Sequence, residues 1–320
     1  MKSDFCSLLA FPAISLLGRI LLAGKFQVFI LFPLFVFLSC TGKSINVASE
    51  SGNDSIPEGA IPFEYDFKMK KVILIPGLLD DSIPMKYLLE TGLGVTVFSD
   101  SFAYDFEDDG RVQKLKTIQI GKWKKSYGNS LKANYLDKNN YIYKNFLEEQ
   151  VAFIPWHFFD KKIIEISFTH QYIREIFTTK NLSGYDSVKI TIDSGLLKIP
   201  VSVFLQGKKI NEFVFIDTGS NGDVSLNYNI SLKYKINTEN ATQGRLRGYS
   251  VAHSRFSLPA DTIKVGRNFV TTGHYISFAS EKAQLMPFGG LIGTRFFENF
   301  DVILDLKNYY LYLKPVKRNN

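Results

Sequence analysis

Short apolar runs separated by turn residues make up most of the chain after residue 60. The runs are rich in Val, Ile, Phe and Tyr, and Gly, Pro or Asn follows about every ten residues, as in 70–77, 187–195, 211–219 and 300–315. β-branched and aromatic residues favour strands. Helical patterns are few, with candidates at 141–150 and 294–299. The pattern predicts an all-β protein of the sandwich or barrel type.

Three segments of the first half of this β-rich region recur in the same order in the second half. The run ILIPG followed by MKYLLETG at 85–92 is matched by VFLQG followed by NEFVFIDTG at 211–219. The segments 117–123 and 153–168 are matched by 262–269 and 291–306. An ordered set of matches indicates an internal duplication. We therefore predict a first β lobe at 60–177 and a second at 187–315, with a boundary near Thr178 to Ser187.

The N-terminal region differs in composition from the rest of the chain. Residues 26–39 carry no charge and follow Arg19 and Lys25, which is typical of a secretory signal. The run ends in Leu38-Ser39-Cys40, which resembles the lipobox of bacterial lipoproteins. We expect a signal peptide at 1–39, a lipid anchor on Cys40, a flexible tether at 40–59 and a location at the bacterial cell envelope. A mass shift on Cys40 of the mature protein would check the lipidation.

Composition excludes several classes of protein. The chain has 320 residues with 45% apolar residues, 14% aromatic residues and a net charge of +7, so it is long and apolar enough to fold. Two cysteines cannot build a disulfide framework, and the four histidines lack metal-ligand spacing. The basic stretches at 121–126 and 315–320 lack interleaved aromatic residues, so we expect no nucleic-acid partner. We also expect no metal or other cofactor.

The motif Asp217-Thr218-Gly219-Ser220 follows an apolar strand in the second lobe. Together with the downstream segment Gly-Leu-Ile-Gly and a last apolar strand, it resembles the pepsin and retropepsin-like aspartic peptidases over 187–315. The resemblance implies a two-lobed β fold, with Asp217 as a catalytic carboxylate and with Thr218, Gly219 and Ser220 as its supporting loop. It also places a flap tip at Gly244 to Gly248.

An aspartic peptidase needs two carboxyl groups, because one acts as acid while the other acts as base on a shared water. The equivalent loop of the first lobe reads Glu90-Thr91-Gly92-Leu93, with Glu for Asp and Leu for Ser. Glu is one methylene longer, which shifts its carboxyl by more than about 1 Å if the backbone is unchanged, and catalysis tolerates such shifts poorly.

Three interpretations remain open. Glu90 and Asp217 form a dyad within one chain, or two chains pair their second lobes so that Asp217 is used twice. In the third, the cleft has lost hydrolysis and binds peptides or proteins at the cell surface. The first two predict an endopeptidase acting on peptide or protein substrates as a monomer or a homodimer.

Overall fold

The computed structural model describes residues 56–68, 71–99, 111–112, 116–127, 131–136, 151–180, 182–247, 252–271, 273–279 and 289–316. Residues 54–320 pack as a single unit. The predicted signal peptide, Cys40, most of the tether and the helix candidate at 141–150 lie outside the described residues. None of the helices within those ranges is long and apolar enough to cross a membrane.

Strands dominate the described residues, as predicted. Those of the first half are β1 (Ile61–Pro62), β2 (Leu74–Leu79), β3 (Ile83–Leu89), β4 (Thr96–Ser99), β5 (Arg111–Val112), β6 (Thr117–Ile120), β7 (Trp123–Ser126), β8 (Leu131–Leu136), β9 (Val151–Ile154), β10 (Ile163–Ser167) and β11 (Tyr172–Ile176). Those of the second half are β12 (Asp186–Lys189), β13 (Thr191–Asp193), β14 (Leu196–Leu205), β15 (Lys208–Asp217), β16 (Val224–Leu226), β17 (Thr242–Arg247), β18 (Ala252–Pro259), β19 (Thr262–Val265), β20 (Asn268–Val270), β21 (Tyr275–Ala279), β22 (Gly290–Gly293), β23 (Phe300–Asp305) and β24 (Tyr310–Pro315).

Short helices interrupt these strands at three described places. A 3₁₀ helix spans Trp156–Phe159, and the α-helices are α1 (Tyr228–Lys233) and α2 (Thr294–Phe297). The helix predicted at 294–299 is therefore present, with its last two residues outside it. The sequence pattern missed α1.

The two halves repeat one strand arrangement, which confirms the predicted internal duplication. In the first half the hairpin β2–β3 places β3 parallel to β9, and β9 pairs with β4, which runs parallel to β8. In the second half the hairpin β14–β15 places β15 parallel to β22, and β22 pairs with β16, which runs parallel to β21. The hairpins β6–β7 and β19–β20 extend the two sheets through β2 and β14, respectively.

A third sheet contains strands from both halves, in the order β1-β11-β10-β23-β24-β12. Its centre is the antiparallel pair β10–β23, in which Glu165 lies opposite Ile303. These two residues are also equivalent in the matched segments 153–168 and 291–306, so the pseudo-two-fold axis passes between them. The apolar runs of β10 and β23 were predicted as strands of separate lobes, and their pairing across the chain was not predicted.

One continuous apolar core lies beneath the three sheets. It takes side chains from both halves, including Tyr87, Phe98, Phe278, Phe296 and Phe300, all of which are almost fully buried. Burial of apolar side chains on this scale stabilises the fold by about 1.5–3 kcal/mol for each large residue. The core therefore fixes the strand ends that carry the candidate site.

Candidate active site

Glu90 and Asp217 lie at equivalent ends of equivalent strands. Glu90 follows β3 directly, and its backbone N–H donates to the carbonyl of Ile154 at the end of β9 at 2.9 Å. Asp217 is the last residue of β15 and lies beside Gly293 of β22. Because β3 runs parallel to β9 and β15 runs parallel to β22, each loop leaves its own sheet at the equivalent place. The fold therefore presents the two carboxyl groups to each other.

The two loops are joined by a set of reciprocal hydrogen bonds. The backbone N–H of Thr91 donates to Oγ1 of Thr218 at 3.1 Å, and the N–H of Thr218 donates to Oγ1 of Thr91 at 3.0 Å. The Thr91 hydroxyl also donates to the carbonyl of Ile216 at 2.7 Å, and the Thr218 hydroxyl donates to that of Leu89 at 2.6 Å. Both threonines are buried. Thr91 and Thr218 thus make matching contacts across the two loops.

Two glycines let the carboxyl groups approach. A Cβ atom at Gly219 would overlap the carboxyl group of Glu90. A Cβ atom at Gly92 would lie 2.8 Å from Cγ of Asp217 and 3.0 Å from Oε1 of Glu90. Such distances are far inside van der Waals contact, so each loop needs glycine because the carboxyl of the opposite loop lies against it.

The carboxyl groups of Glu90 and Asp217 are neighbours, because both lie within 3.0 Å of the same point, the Cβ position of Gly92. The extra methylene of Glu90 therefore does not leave its carboxyl unsupported. Oε1 of Glu90 accepts from the N–H of Gly92 at 2.9 Å, and the same carboxyl group lies against Gly219. The sequence argument assumed an unchanged backbone and could not show these contacts.

Asp217 is held by its own loop through two backbone amides. Its Oδ1 accepts from the N–H of Gly219 at 3.1 Å and from that of Ser220 at 3.0 Å. Ser220 thus supports the carboxyl through its backbone. Its equivalent in the first half is Leu93, which packs against an apolar cluster. Backbone donors favour the ionised carboxylate, so Asp217 is the better site for the negative charge.

Burial raises the pKa of Glu90 well above its ordinary value, and the charge and hydrogen bond of Asp217 raise it further. Burial also raises the pKa of Asp217, but the hydrogen bonds from Glu90, Gly219 and Ser220 oppose that effect. The directions of the two shifts favour a proton on Glu90 and the negative charge on Asp217. A buried acid beside a half-buried carboxylate can perform general acid and general base catalysis together.

The raised pKa of Glu90 predicts a specific dependence of stability on pH. Above pH 4.5, the ordinary value, the folded state holds a proton that the unfolded state releases, so rising pH favours unfolding. The slope is at most about 1.4 kcal/mol per pH unit for one proton. We expect Glu90→Gln to be more stable than wild type at neutral pH, with a difference that shrinks as the pH falls towards the ordinary value.

Urea unfolding between pH 4 and pH 8 measures this difference in the free energy of unfolding. Glu64→Gln is the matched control, because Glu64 is an exposed partner of Lys86. Curves for Glu90→Gln and wild type that stay parallel across this range would contradict the assignment of the proton.

The other predicted site residues are distributed as follows. Gly244 lies within β17, opposite Arg255 of the antiparallel strand β18. The hairpin β17–β18 thus occupies the predicted flap region, while Gly248 falls outside the described residues. Pro155, which the duplication aligns with Gly293, precedes the 3₁₀ helix behind the Glu90 loop.

The polar contacts of the Asp217 loop with its surroundings were not predicted from the sequence. The N–H of Thr294 donates to the carbonyl of Ser220 at 2.9 Å, and the N–H of Gly293 donates to that of Asp223 at 2.8 Å. The buried carboxylate of Asp223 lies 2.6 Å from Nδ1 of His274 and 3.5 Å from Nε of Arg295. The only sequence signal near these contacts was the duplication, which marks the segment containing Thr294 as the equivalent of the segment containing Trp156. It did not indicate which residues these segments contact.

Trp156 packs in the core and also makes one polar contact. It is 7% exposed, and its indole N–H donates to the carbonyl of Gly195 at 2.9 Å. Gly195 lies in the turn before β14, in the second half of the chain. The residue behind the Glu90 loop thus contacts the opposite half.

Comparison with known proteins identifies the fold. No protein-family model matches the chain, and no curated protein sequence is significantly similar to it. The chain is similar to the crystal structure of the aspartic proteinase from Irpex lacteus, with a TM-score of 0.51 and 12% identity. The match covers 81% of this chain and 97% of that chain. The chain therefore has the two-lobed, all-β fold of pepsin-like aspartic proteinases.

Proposed function

We propose that a chain with this fold and this pair of carboxyl groups is an aspartic endopeptidase. The observation that carries the proposal is the close approach of the Glu90 and Asp217 carboxyl groups, in two loops fixed to each other by Thr91 and Thr218. A binding module has no need for two adjacent carboxyl groups withdrawn from water, one buried and one half-buried, because desolvating them is costly. The substrate class is an extended segment of a peptide or protein.

In the proposed reaction a water molecule lies between the two carboxyl groups. Asp217, as base, takes a proton from the water while the water oxygen attacks the carbonyl carbon of the peptide bond. Glu90, as acid, gives its proton to the carbonyl oxygen. In the resulting tetrahedral diol, Asp217 gives the proton it gained to the amide nitrogen while Glu90 takes a proton back from a diol hydroxyl. The C–N bond breaks, a carboxylic acid and an amine leave, and the two carboxyl groups return to their starting protonation states.

The contacts support a dyad within one chain rather than a pair of second lobes from two chains. Thr91 already occupies the position opposite Thr218, and Glu90 already occupies the position opposite Asp217. A second chain would have to displace the first half, which is joined to the second through the sheet containing β10 and β23. We therefore propose that the monomer is the active species.

Cleavage of an unstructured protein between pH 3 and pH 8 in ¹⁸O-labelled water tests the proposal. We expect new termini that carry ¹⁸O, a rate proportional to enzyme concentration, and no cleavage by Asp217→Ala. Cleavage that survives Asp217→Ala would contradict the proposal. Binding of the substrate without cleavage by wild type would favour the non-catalytic interpretation, and specific activity that falls on dilution would favour paired chains.

A further inference from the structure

The segment just before β2 contacts both ends of α2, the short helix behind the Asp217 loop. Lys71 pairs with Glu298, which caps the C-terminal end of α2, through Nζ at 2.8 Å from Oε1 and 3.0 Å from Oε2. The carbonyl of Lys71 accepts a hydrogen bond from the hydroxyl of Thr294, the first residue of α2. Lys71 belongs to the first half of the chain and α2 to the second. One residue therefore connects the two halves at two points.

The ion pair between Lys71 and Glu298 is shielded from water. The two side chains are only 16% and 8% exposed, respectively. Tyr65, also from the first half, donates its hydroxyl to Oε2 of Glu298 at 2.8 Å. A shielded ion pair with additional hydrogen bonds holds its groups in one geometry, whereas exposed pairs contribute little.

The contact chain continues from α2 to the candidate catalytic carboxylate. The N–H and the hydroxyl of Thr294 both lie 2.9 Å from the carbonyl oxygen of Ser220. The N–H of Ser220 donates to Oδ1 of Asp217. A displacement of α2 therefore moves the loop that holds Asp217. Two residues, Thr294 and Ser220, connect the ion pair to the Asp217 carboxylate.

Among the described residues, the equivalent region behind the Glu90 loop has no ion pair to the opposite half; Lys125, which donates to the carbonyl of His157 at 3.3 Å, belongs to the same half. By the duplication, Trp156 and Asp160 occupy the positions of Thr294 and Glu298. Trp156 contacts the opposite half through its indole N–H, and Asp160 accepts from the backbone of its neighbour Lys161 at 2.9 Å. The ion pair thus supports the Asp217 side selectively.

We propose that Lys71 and Glu298 are positioning residues, whose ion pair fixes α2 and through it places the Asp217 carboxylate opposite Glu90. This inference rests on the proposed function for its kinetic consequence only. Misplacement of a reacting group by about 1 Å can lower a rate by about 100-fold. Loss of the ion pair should therefore lower kcat, while KM, which reflects the substrate-binding cleft, should change little.

The test compares Lys71→Met with Lys71→Arg, which preserves the charge. We expect kcat to fall about 10- to 100-fold in Lys71→Met, with a KM within about threefold of wild type, and to recover substantially in Lys71→Arg. Lys233→Met is the matched control, because Lys233 pairs with Glu212 at 3.1 Å on an exposed surface. Glu298→Gln provides a second variant in case Lys71→Met does not fold.

A measurement that needs no hydrolysis accompanies the kinetics. The Glu90 carboxyl is titrated by ¹³C NMR with labelled glutamate, and Glu90→Gln assigns the signal. In Lys71→Met and Glu298→Gln we expect the pKa of Glu90 to move down towards its ordinary value, because the Asp217 carboxylate is no longer held against it. The control Lys233→Met should titrate as wild type does.

Variants that lose thermal stability but keep the wild-type titration of Glu90 would overturn the proposal, as would an unchanged kcat in folded Lys71→Met. A wild type that cleaves nothing would refute the proposed function. The titration would then still decide whether the ion pair places Asp217.

Discussion

Asp217→Asn is expected to lower kcat by at least about 1,000-fold, with little change in KM. Asparagine has nearly the same shape and can keep the hydrogen bonds from Gly219 and Ser220, but it cannot take a proton from water. Glu90→Gln should have a similar effect, because glutamine cannot give its proton to the carbonyl oxygen. Both effects are measured with one peptide substrate at the pH of maximal wild-type activity.

The double variant Asp217→Asn/Glu90→Gln should be hardly slower than either single variant. Residues that act as one unit give strongly non-additive effects, because removing either abolishes the same step. Asp81→Asn is the matched control, since Asp81 is an exposed partner of Lys124, and its kcat should equal that of wild type. Losses that simply add in the double variant would contradict a shared dyad.

Gly219→Ala is expected to abolish hydrolysis and to destabilise the fold. The new methyl group would overlap the carboxyl of Glu90, which is held in turn by Asp217 and the Gly92 amide. The Glu90 carboxyl cannot move away from the new methyl group without losing its contacts with Asp217 and the Gly92 amide. Overpacking and the loss of buried hydrogen bonds each cost about 1–3 kcal/mol, so we expect a loss of about 2–5 kcal/mol in the free energy of unfolding.

Gly94→Ala is the matched control for Gly219→Ala. Gly94 lies in the neighbouring loop, and a Cβ atom there meets no atom within 4 Å. Its stability and activity should therefore match those of wild type. In the double variant Gly219→Ala/Glu90→Ala much of the stability should return while activity stays absent, because the clash is removed together with the acid. If Glu90→Ala rescues no stability, the close contact between Gly219 and Glu90 does not exist in solution.

The sequence predicted the strands and the two loops well, because both depend on local signals. β-branched runs define β14 and β15, and the motif around Asp217 identifies a loop whose partner lies at the equivalent position of the duplication. It did not predict α1, whose six residues, Tyr228–Lys233, are too few to show helical periodicity.

Contacts between distant segments were beyond the sequence argument. The apolar runs of β10 and β23 suit either their own lobe or a shared sheet, and only three-dimensional packing selects the pair of Glu165 with Ile303. The support of Glu90 by Gly92 and Gly219 likewise depends on where two loops meet, which the spacing of residues does not encode. The ion pair of Lys71 with Glu298 joins residues that no motif connects.

The sheet shared by the two halves has a consequence for the timing of synthesis. Its central pair joins β10 to β23, and β24 lies between β23 and β12. Because β23 and β24 emerge from the ribosome last of all the strands described, the sheet cannot close while the chain is still being made. The contact of Lys71 with α2 also forms late, since α2 lies just before β23. The fold of a nascent chain is therefore completed only when translation is nearly finished.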